Sequence, residues 1–241
     1  VPLVALSATA APQVRADIIR LLQLRRPLIQ VRSARRTNLV YGMHRRPEEP
    51  LPLVLEAVQA ARGAVLIYAR TRRTVELWAA RLTGAGLEAI AYHAGMDPES
   101  RQLALEHFQL QPRPVLVATV AFGMGIDKPD IRYVAHADLP KNIEGWYQEV
   151  GRAGRDGAPA DTLTLFGPDD IRLRRSQIDE GVAPLEHKRA DHGRLNALLG
   201  LAEALGCRRR VLLPYFGDER STDCGNCDMC RNPPEVFDGT E

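Results

Sequence analysis

The sequence predicts an α/β protein: a parallel sheet flanked by helices, followed by a small helical subdomain built around four cysteines. Three observations predict it. Between residues 65 and 166, short apolar runs alternate with stretches of helical period, the pattern of strand–helix–strand crossovers stacked into a sheet covered on both faces. After Gly167 this alternation stops and only helical stretches follow. Those stretches lead into Cys207, Cys224, Cys227 and Cys230, spaced as ligands rather than scattered.

Taken in order, residues 1–6 read as a buried strand running into Ser7-Ala8-Thr9-Ala10. A helix follows, with Pro12 in its first turn and Val14, Ile18, Leu21 and Leu22 on one face. Residues 28–32 and 38–43 are short extended runs, and the proline-rich patch 46–50 breaks regular structure. Strands are expected at 65–68, 87–92, 115–118, 133–136 and 162–166. Helices are expected at 71–82, at 98–108 behind an Asp97 cap with Pro98 in first position, and at 142–150. A domain boundary falls at Phe166 and Gly167, with helices at 169–180 and 185–205 beyond it. The polar stretch from Asn232, with two prolines, reads as a linker or truncation point.

A chain of 241 residues, 45% hydrophobic and 26% charged, is ordinary globular material for one or two domains. A net charge of +2 announces no nucleic-acid partner, but its distribution is uneven: residues 1–46 hold nine arginines and one acid, Asp17. Arginine outnumbers lysine 29 to 3, which fits either phosphate recognition or a GC-rich genome. No apolar run approaches the ~18 residues of a membrane span, and no charged leader with a cleavage site opens the chain. Position 1 is Val rather than Met, so the chain is read as a fragment or processed product. The expected setting is cytoplasmic and reducing, with no membrane partner, and there cysteines are ligands more often than disulfides.

Cys224-Gly-Asn-Cys227-Asp-Met-Cys230 is a tight knuckle whose Gly225 and Asn226 tolerate the turn, and Cys207, at the end of a helix, closes the fourth corner across 16 residues. Four thiolates suit a tetrahedral, closed, structural Zn2+ site, with disulfides or free thiols as the alternatives. Such an ion supplies folding energy to a subdomain with little core of its own. Arg208-Arg209-Arg210 either grips a DNA backbone or forms a solvated, salt-bridged turn, and Tyr215-Phe216 reads as packing. Residues 118–129 follow a strand and so occupy the carboxyl edge of the sheet, where open α/β folds bind ligands. There Gly123 and Gly125 permit a bend, Thr119 offers a hydroxyl and Asp127 a carboxylate. Gln148-Glu-Val-Gly-Arg-Ala-Gly-Arg-Asp-Gly157 places Arg152 and Arg155 three residues apart among glycines at a helix end, a forked cation suited to phosphate oxygens.

These residues together resemble the RecQ family of DNA helicases over nearly the whole chain. Residues 148–157 resemble the arginine-finger motif of superfamily-two helicases in its RecQ spelling, and 118–129 the motif that couples nucleotide and DNA sites. Ser7-Ala8-Thr9 resembles the motif linking hydrolysis to strand movement, 67–72 the fourth helicase motif, and 91–96 and 136–141 further family segments. Two departures stand out: Ala69-Arg70 where the family often has Cys-Asn, and Arg36-Thr37-Asn38 where Arg-Pro-Asn is usual.

The resemblance implies a RecA-like sheet and a division into 1–46 (end of the first motor lobe and connection), 47–166 (second lobe), 167–232 (zinc-binding subdomain) and 233–241 (tail). It implies ATP and Mg2+ held jointly with a first lobe, Arg155 and Arg152 as catalytic residues, and Asp127, Gly125 and Gln148 at the nucleotide. It implies Thr119, Arg72 and His93 against single-stranded and partly duplex DNA, with His93 alternatively a structural histidine, in a nucleoid-associated 3′–5′ helicase of repair, recombination and replication. Trp146 and Tyr147 are read as packing residues. No Gly-Lys-Thr, Gly-Lys-Ser or Asp-Glu-x-His segment occurs, so this chain alone is expected not to hydrolyse ATP. The rival class is a non-enzymatic DNA-binding or interaction module that keeps a helicase lobe. An RNA helicase is a third option, against which the cysteine quartet and residues 122–129 argue.

Overall fold

The computed structural model describes residues 3–122, 128–219 and 222–234. Its centre is a six-stranded, wholly parallel sheet formed by β1 (Leu39–Arg45), β2 (Ala64–Tyr68), β3 (Ala89–Tyr92), β4 (Val115–Ala118), β5 (Ile131–His136) and β6 (Ala160–Phe166). The strand order is β1-β6-β5-β2-β4-β3. Side chains alternate across the pleat. In β2, Ala64, Leu66 and Tyr68 therefore enter one core while Val65 and Ile67 enter the other.

The helices close both faces. Before β2 stands α2 (Leu51–Ala60), followed by α3 (Arg72–Gly84), α4 (Pro98–Leu110) and α5 (Ile143–Val150). Their starts are fixed by side chains that accept orphan backbone N–H groups: Thr71 from Thr74, Asp97 from Ser100 and Asn142 from Gly145. Val54, Val58, Val75, Trp78 and Leu82 cover one face. Phe108, Phe122, Ile143, Trp146 and Val150 cover the other.

Beyond β6 come α6 (Pro168–Glu180), α7 (Leu185–Ala202), α8 (Arg208–Tyr215) and the single turn α9 (Asp228–Arg231). Leu195, Leu198, Leu212 and Phe216 do not form a separate core. They join the cluster that holds Trp146 and Tyr41 beneath the sheet. The subdomain thus borrows the lobe's apolar face.

Several sequence expectations need correction. Residues 3–6 form no strand, and Leu6 is 91% exposed. The apolar run has no strand beside it among the described residues, so nothing there pairs its backbone. Residues 28–32 likewise join no ladder. The helix at Pro12 exists as α1 (Pro12–Leu21), yet none of its residues is buried. Helix α2 goes beyond the expected elements: Pro52 sits in its first turn, where proline is tolerated, so the prolines open a helix after the break. A lobe beginning at 47 leaves out β1, which pairs with β6 along its full length. Cys207 caps the start of α8 rather than ending a helix.

Candidate functional site

Helix α5 buries Ile143, Trp146 and Val150 and so turns its opposite face, with Gln148, outward. The chain leaves it through Gly151 into the turn bearing both arginines. Gly154 adopts φ +55°, and a Cβ there would lie 2.5 Å from Asn38 Nδ2 and 2.7 Å from the Ala158 carbonyl, so only glycine fits. The turn is anchored from three sides. Gly154 N–H donates to the Ile131 carbonyl (2.9 Å) at the start of β5. Asn38 Nδ2 donates to the carbonyls of Gly154 (2.8 Å) and Ala158 (2.9 Å). Asp156 pairs with Arg132, whose hydrogen bond holds the Asp156 carboxyl below its ordinary range.

Ala153 is fully buried, Arg155 is exposed and Arg152 is half-buried. Both guanidinium groups act on the phenol of Tyr68: burial pushes it up, and Arg152 and Arg155 oppose that rise. The Tyr68 hydroxyl donates to the Phe122 carbonyl (3.1 Å). The arginine pair, the end of β2 and the loop after β4 therefore converge. Gln148 Nε2 donates to Thr9 Oγ1 (2.8 Å), tying the arginine helix to the Ser7-Ala8-Thr9 segment. Gly125 and Asp127 lie outside the described residues. Just past them, Lys128 is buried and donates to the carbonyls of Gln109 and Gln111, both at 3.3 Å.

Arg72, His93 and Thr119 stand at the carboxyl ends of β2, β3 and β4, three adjacent strands. The Arg72 guanidinium lies against Gly95, where a Cβ would meet Nη1 at 2.8 Å, and Thr119 N–H donates to the Tyr92 carbonyl (3.3 Å). His93 is turned inward. Its Nδ1 accepts from Gly95 N–H (3.2 Å), so Nε2 carries the proton and donates to Glu76 (3.1 Å). Both His93 nitrogens are engaged within the chain and its ring is buried, whereas Arg72 is exposed and Thr119 half-buried.

The four cysteine sulfurs lie within 4.8 Å of one another, and Cys224 and Cys230 are 3.8 Å apart. A tetrahedron with Zn–S bonds of ~2.3 Å has edges of about 3.8 Å, so the donor set fits a structural zinc ion. Cys224 N–H donates to Cys207 Sγ (3.2 Å) and Asn226 N–H to Cys224 Sγ (3.3 Å), the bonds that thiolates want. Without a cation, burial pushes the Cys227 thiol up to about 12; a bound metal supplies the charge that draws such protons off.

The arginine triplet is neither a DNA grip nor a solvated turn over its first two residues. Arg208 and Arg209 are each 2% exposed, whereas Arg210 is a surface residue paired with Asp223. Arg208 grips both Asp228 oxygens (2.9 and 2.8 Å) and caps α7 through the carbonyls of Leu201, Ala202 and Ala204. Arg209 stacks 4.6 Å over Tyr41 and donates to Cys224 Sγ (3.1 Å) and to the Arg36 carbonyl (2.7 Å). Arg70, the departure in the fourth motif, pairs with Asp138 (3.4 Å) and with fully buried Asp170 (3.0 Å) of α6, which Arg46 also holds at 2.8 Å.

Comparison with known proteins settles the family. Residues 50–157 match the helicase conserved C-terminal domain, and residues 168–231 match the RecQ zinc-binding domain. This chain carries the C-terminal helicase lobe and zinc-binding domain of the RecQ family. The ATP-dependent DNA helicase RecQ of Haemophilus influenzae is 40% identical over 240 residues, which cover 99% of this chain and 38% of that protein. The ATP-dependent helicase SGS1 of Saccharomyces cerevisiae is 36% identical over 243 residues, 98% of this chain and 17% of that protein. The ATP-dependent DNA helicase RecQ of Bacillus subtilis is 35% identical, covering 99% and 40%. This chain thus spans well under half the length of these relatives. Among solved structures, S. cerevisiae Dbp5 bound to RNA and ADP BeF3 shares the fold with a TM-score of 0.57 at 18% identity, over 78% of this chain and 54% of that one. Among the described residues of the RecQ chain, no helix is long and apolar enough to cross a membrane.

Proposed function

We propose that this RecQ chain is the second motor lobe and zinc subdomain of an ATP-dependent 3′–5′ DNA helicase that acts at the nucleoid in repair, recombination and replication. The observation that carries the reading is Arg155, exposed on a turn whose backbone is fixed from three sides, with Arg152 beside it. A forked, permanently charged group held that way is arranged to meet the γ-phosphate of ATP bound to a facing first lobe and to stabilise charge in the transition state. Arg152 would hold the network beside it. Gln148, through Thr9, would relay closure to the Ser7-Ala8-Thr9 segment, and Asp127 and Gly125 would stand near the nucleotide. Mg2+ and the phosphate-cradling loop would be held on the facing lobe, so the chain alone would not turn over ATP. Arg72, Thr119 and the loop after His93 would contact one DNA strand through its phosphates, giving salt-sensitive affinity without sequence preference and DNA-stimulated hydrolysis.

The test is Arg155→Ala in the full-length protein. Turnover of ATP at saturating single-stranded DNA should fall by ~10³-fold or more with little change in nucleotide affinity, by analogy with arginine fingers. Turnover near that of the wild type would remove Arg155 from the role.

A further inference from the structure

The carbonyls of the turn that follows α5 stand at the negative end of the helix dipole, where a cation is favoured. Arg36 collects three of them. Its Nη1 donates to the Gly151 carbonyl (3.1 Å), and its Nη2 to those of Ala153 (2.8 Å) and Gly154 (3.0 Å). These are the residues on either side of Arg152 and immediately before Arg155. Arg36 lies 115 positions upstream of Gly151, in the segment entering β1.

The backbone of that segment is held in turn by the zinc knuckle. Arg209, buried at the start of α8, spans the two: Nη2 donates to the carbonyls of Arg36 (2.7 Å) and Leu39, and Nη1 to Cys224 Sγ (3.1 Å) and the Asn226 carbonyl (2.9 Å). Asn226 adds bonds from Nδ2 to the carbonyls of Thr37 (3.1 Å) and Leu39 (3.2 Å). The same Asn226 stands between two cysteines, so its position depends on the knuckle being closed.

We infer that Arg36 is a positioning residue that clamps the arginine turn, and that Arg209 ties this clamp to the zinc knuckle. The zinc subdomain therefore sets the geometry of the motor's arginines as well as its own fold. The link runs knuckle, Arg209, Arg36 backbone, Arg36 guanidinium, carbonyls 151–154. Its catalytic consequence rests on the role proposed for Arg155, whereas the clamp does not. Arg36 is suited to the task because its planar fork spreads rigidly placed donors over two nitrogens, whereas lysine offers a single point charge on a flexible stem.

Hydrogen exchange and zinc analysis on this chain, with ATP turnover on the full-length protein, separate the two. Arg36→Ala and Arg36→Lys should both speed exchange at amides 151–157 by roughly tenfold or more, as loss of charge-assisted bonds does, while zinc content stays at that of the wild type. In the full-length protein Arg36→Ala should lower kcat about 100-fold, the scale of a small misplacement of a catalytic group, with KM for ATP nearly unchanged. Unaltered exchange at 151–157 overturns the clamp. Faster exchange with undiminished turnover upholds the clamp and sinks the catalytic role of Arg155 instead. Arg209→Lys should also loosen 151–157, and adding it to Arg36→Ala should loosen that stretch no further, because the two act in series. Additive effects overturn the series. If Arg209→Lys loses zinc outright, Arg36→Ala still decides: coupling between binding free energies is reciprocal, so this variant, which touches no cysteine, should hold zinc with lower affinity than the wild type in equilibrium competition with a chelator. An unchanged zinc affinity overturns the link to the knuckle.

Discussion

The lobe and the zinc subdomain share one molecule but are held by different forces. In the lobe, β2 and β4 are buried along their whole length and alternate side chains between two apolar clusters. Each leucine or valine taken from water there contributes ~1.5–3 kcal/mol, and most of the stability comes from summing such terms. The subdomain's buried residues Leu195, Leu198, Leu199, Leu201, Leu212 and Phe216 are lent to the lobe's core. What fixes its own shape is charge: four convergent sulfurs, the buried Arg208–Asp228 pair, and Arg209 between Tyr41, Cys224 and the entry to β1. The apolar scheme degrades gradually when a side chain is trimmed. The charged scheme is all-or-none, because a buried ion without its partner is worse than no ion.

That contrast can be broken at graded cost. Taking the metal away should have the largest effect, since structural zinc in isolated fingers binds with about 10–16 kcal/mol. Chelation should abolish the ordered knuckle and α8 while the sheet persists, read as partial loss of helical circular dichroism at constant strand signal. Next comes Asp228→Asn, which leaves Arg208 buried with half its partner; denaturant titration should show a loss of ~3–5 kcal/mol. The smallest effect is at the surface, where Arg132 holds the Asp156 carboxyl below its ordinary 3.8. A depressed carboxylate stabilises the fold above its unfolded pKa, and that contribution is lost as pH falls through the folded one. Arg132→Ala should therefore destabilise the chain slightly at neutral pH and not at all in acid, with Asp156 titrating higher by carboxyl NMR. Solvent reaches this pair, so the change in melting temperature should be small.

The same contrast explains what could be read from the sequence. Continuous apolar runs and short polar caps report local forces, which is why β2, β4, the helix near 142–150 and the Asp97 cap were legible. The cysteine spacing was legible because ligand geometry is local too. The run at 3–6 misled, since apolar period says that a segment seeks burial and not what buries it. The proline-rich patch 46–50 read as a break, and α2 starts directly after it with Pro52 in its first turn. Arg208 and Arg209 read as surface charge because their partners are Asp228, Tyr41 and distant carbonyls. Arg36 was noticed only as a departure from the family's spelling, and nothing near it in sequence shows that its fork closes on residues 151–154. Long-range pairings of charge with backbone carry no sequence period, and they make up most of what the pattern missed.

Residue-level hydrogen exchange on the chain, before and after its metal is stripped, tests the division of forces most directly. One zinc per chain is expected at the start, then loss of protection confined to 207–231 and the arginine turn at 151–157, with β2 and β4 unchanged. Protection that falls evenly across the sheet, or a knuckle that stays protected with no metal bound, would contradict it.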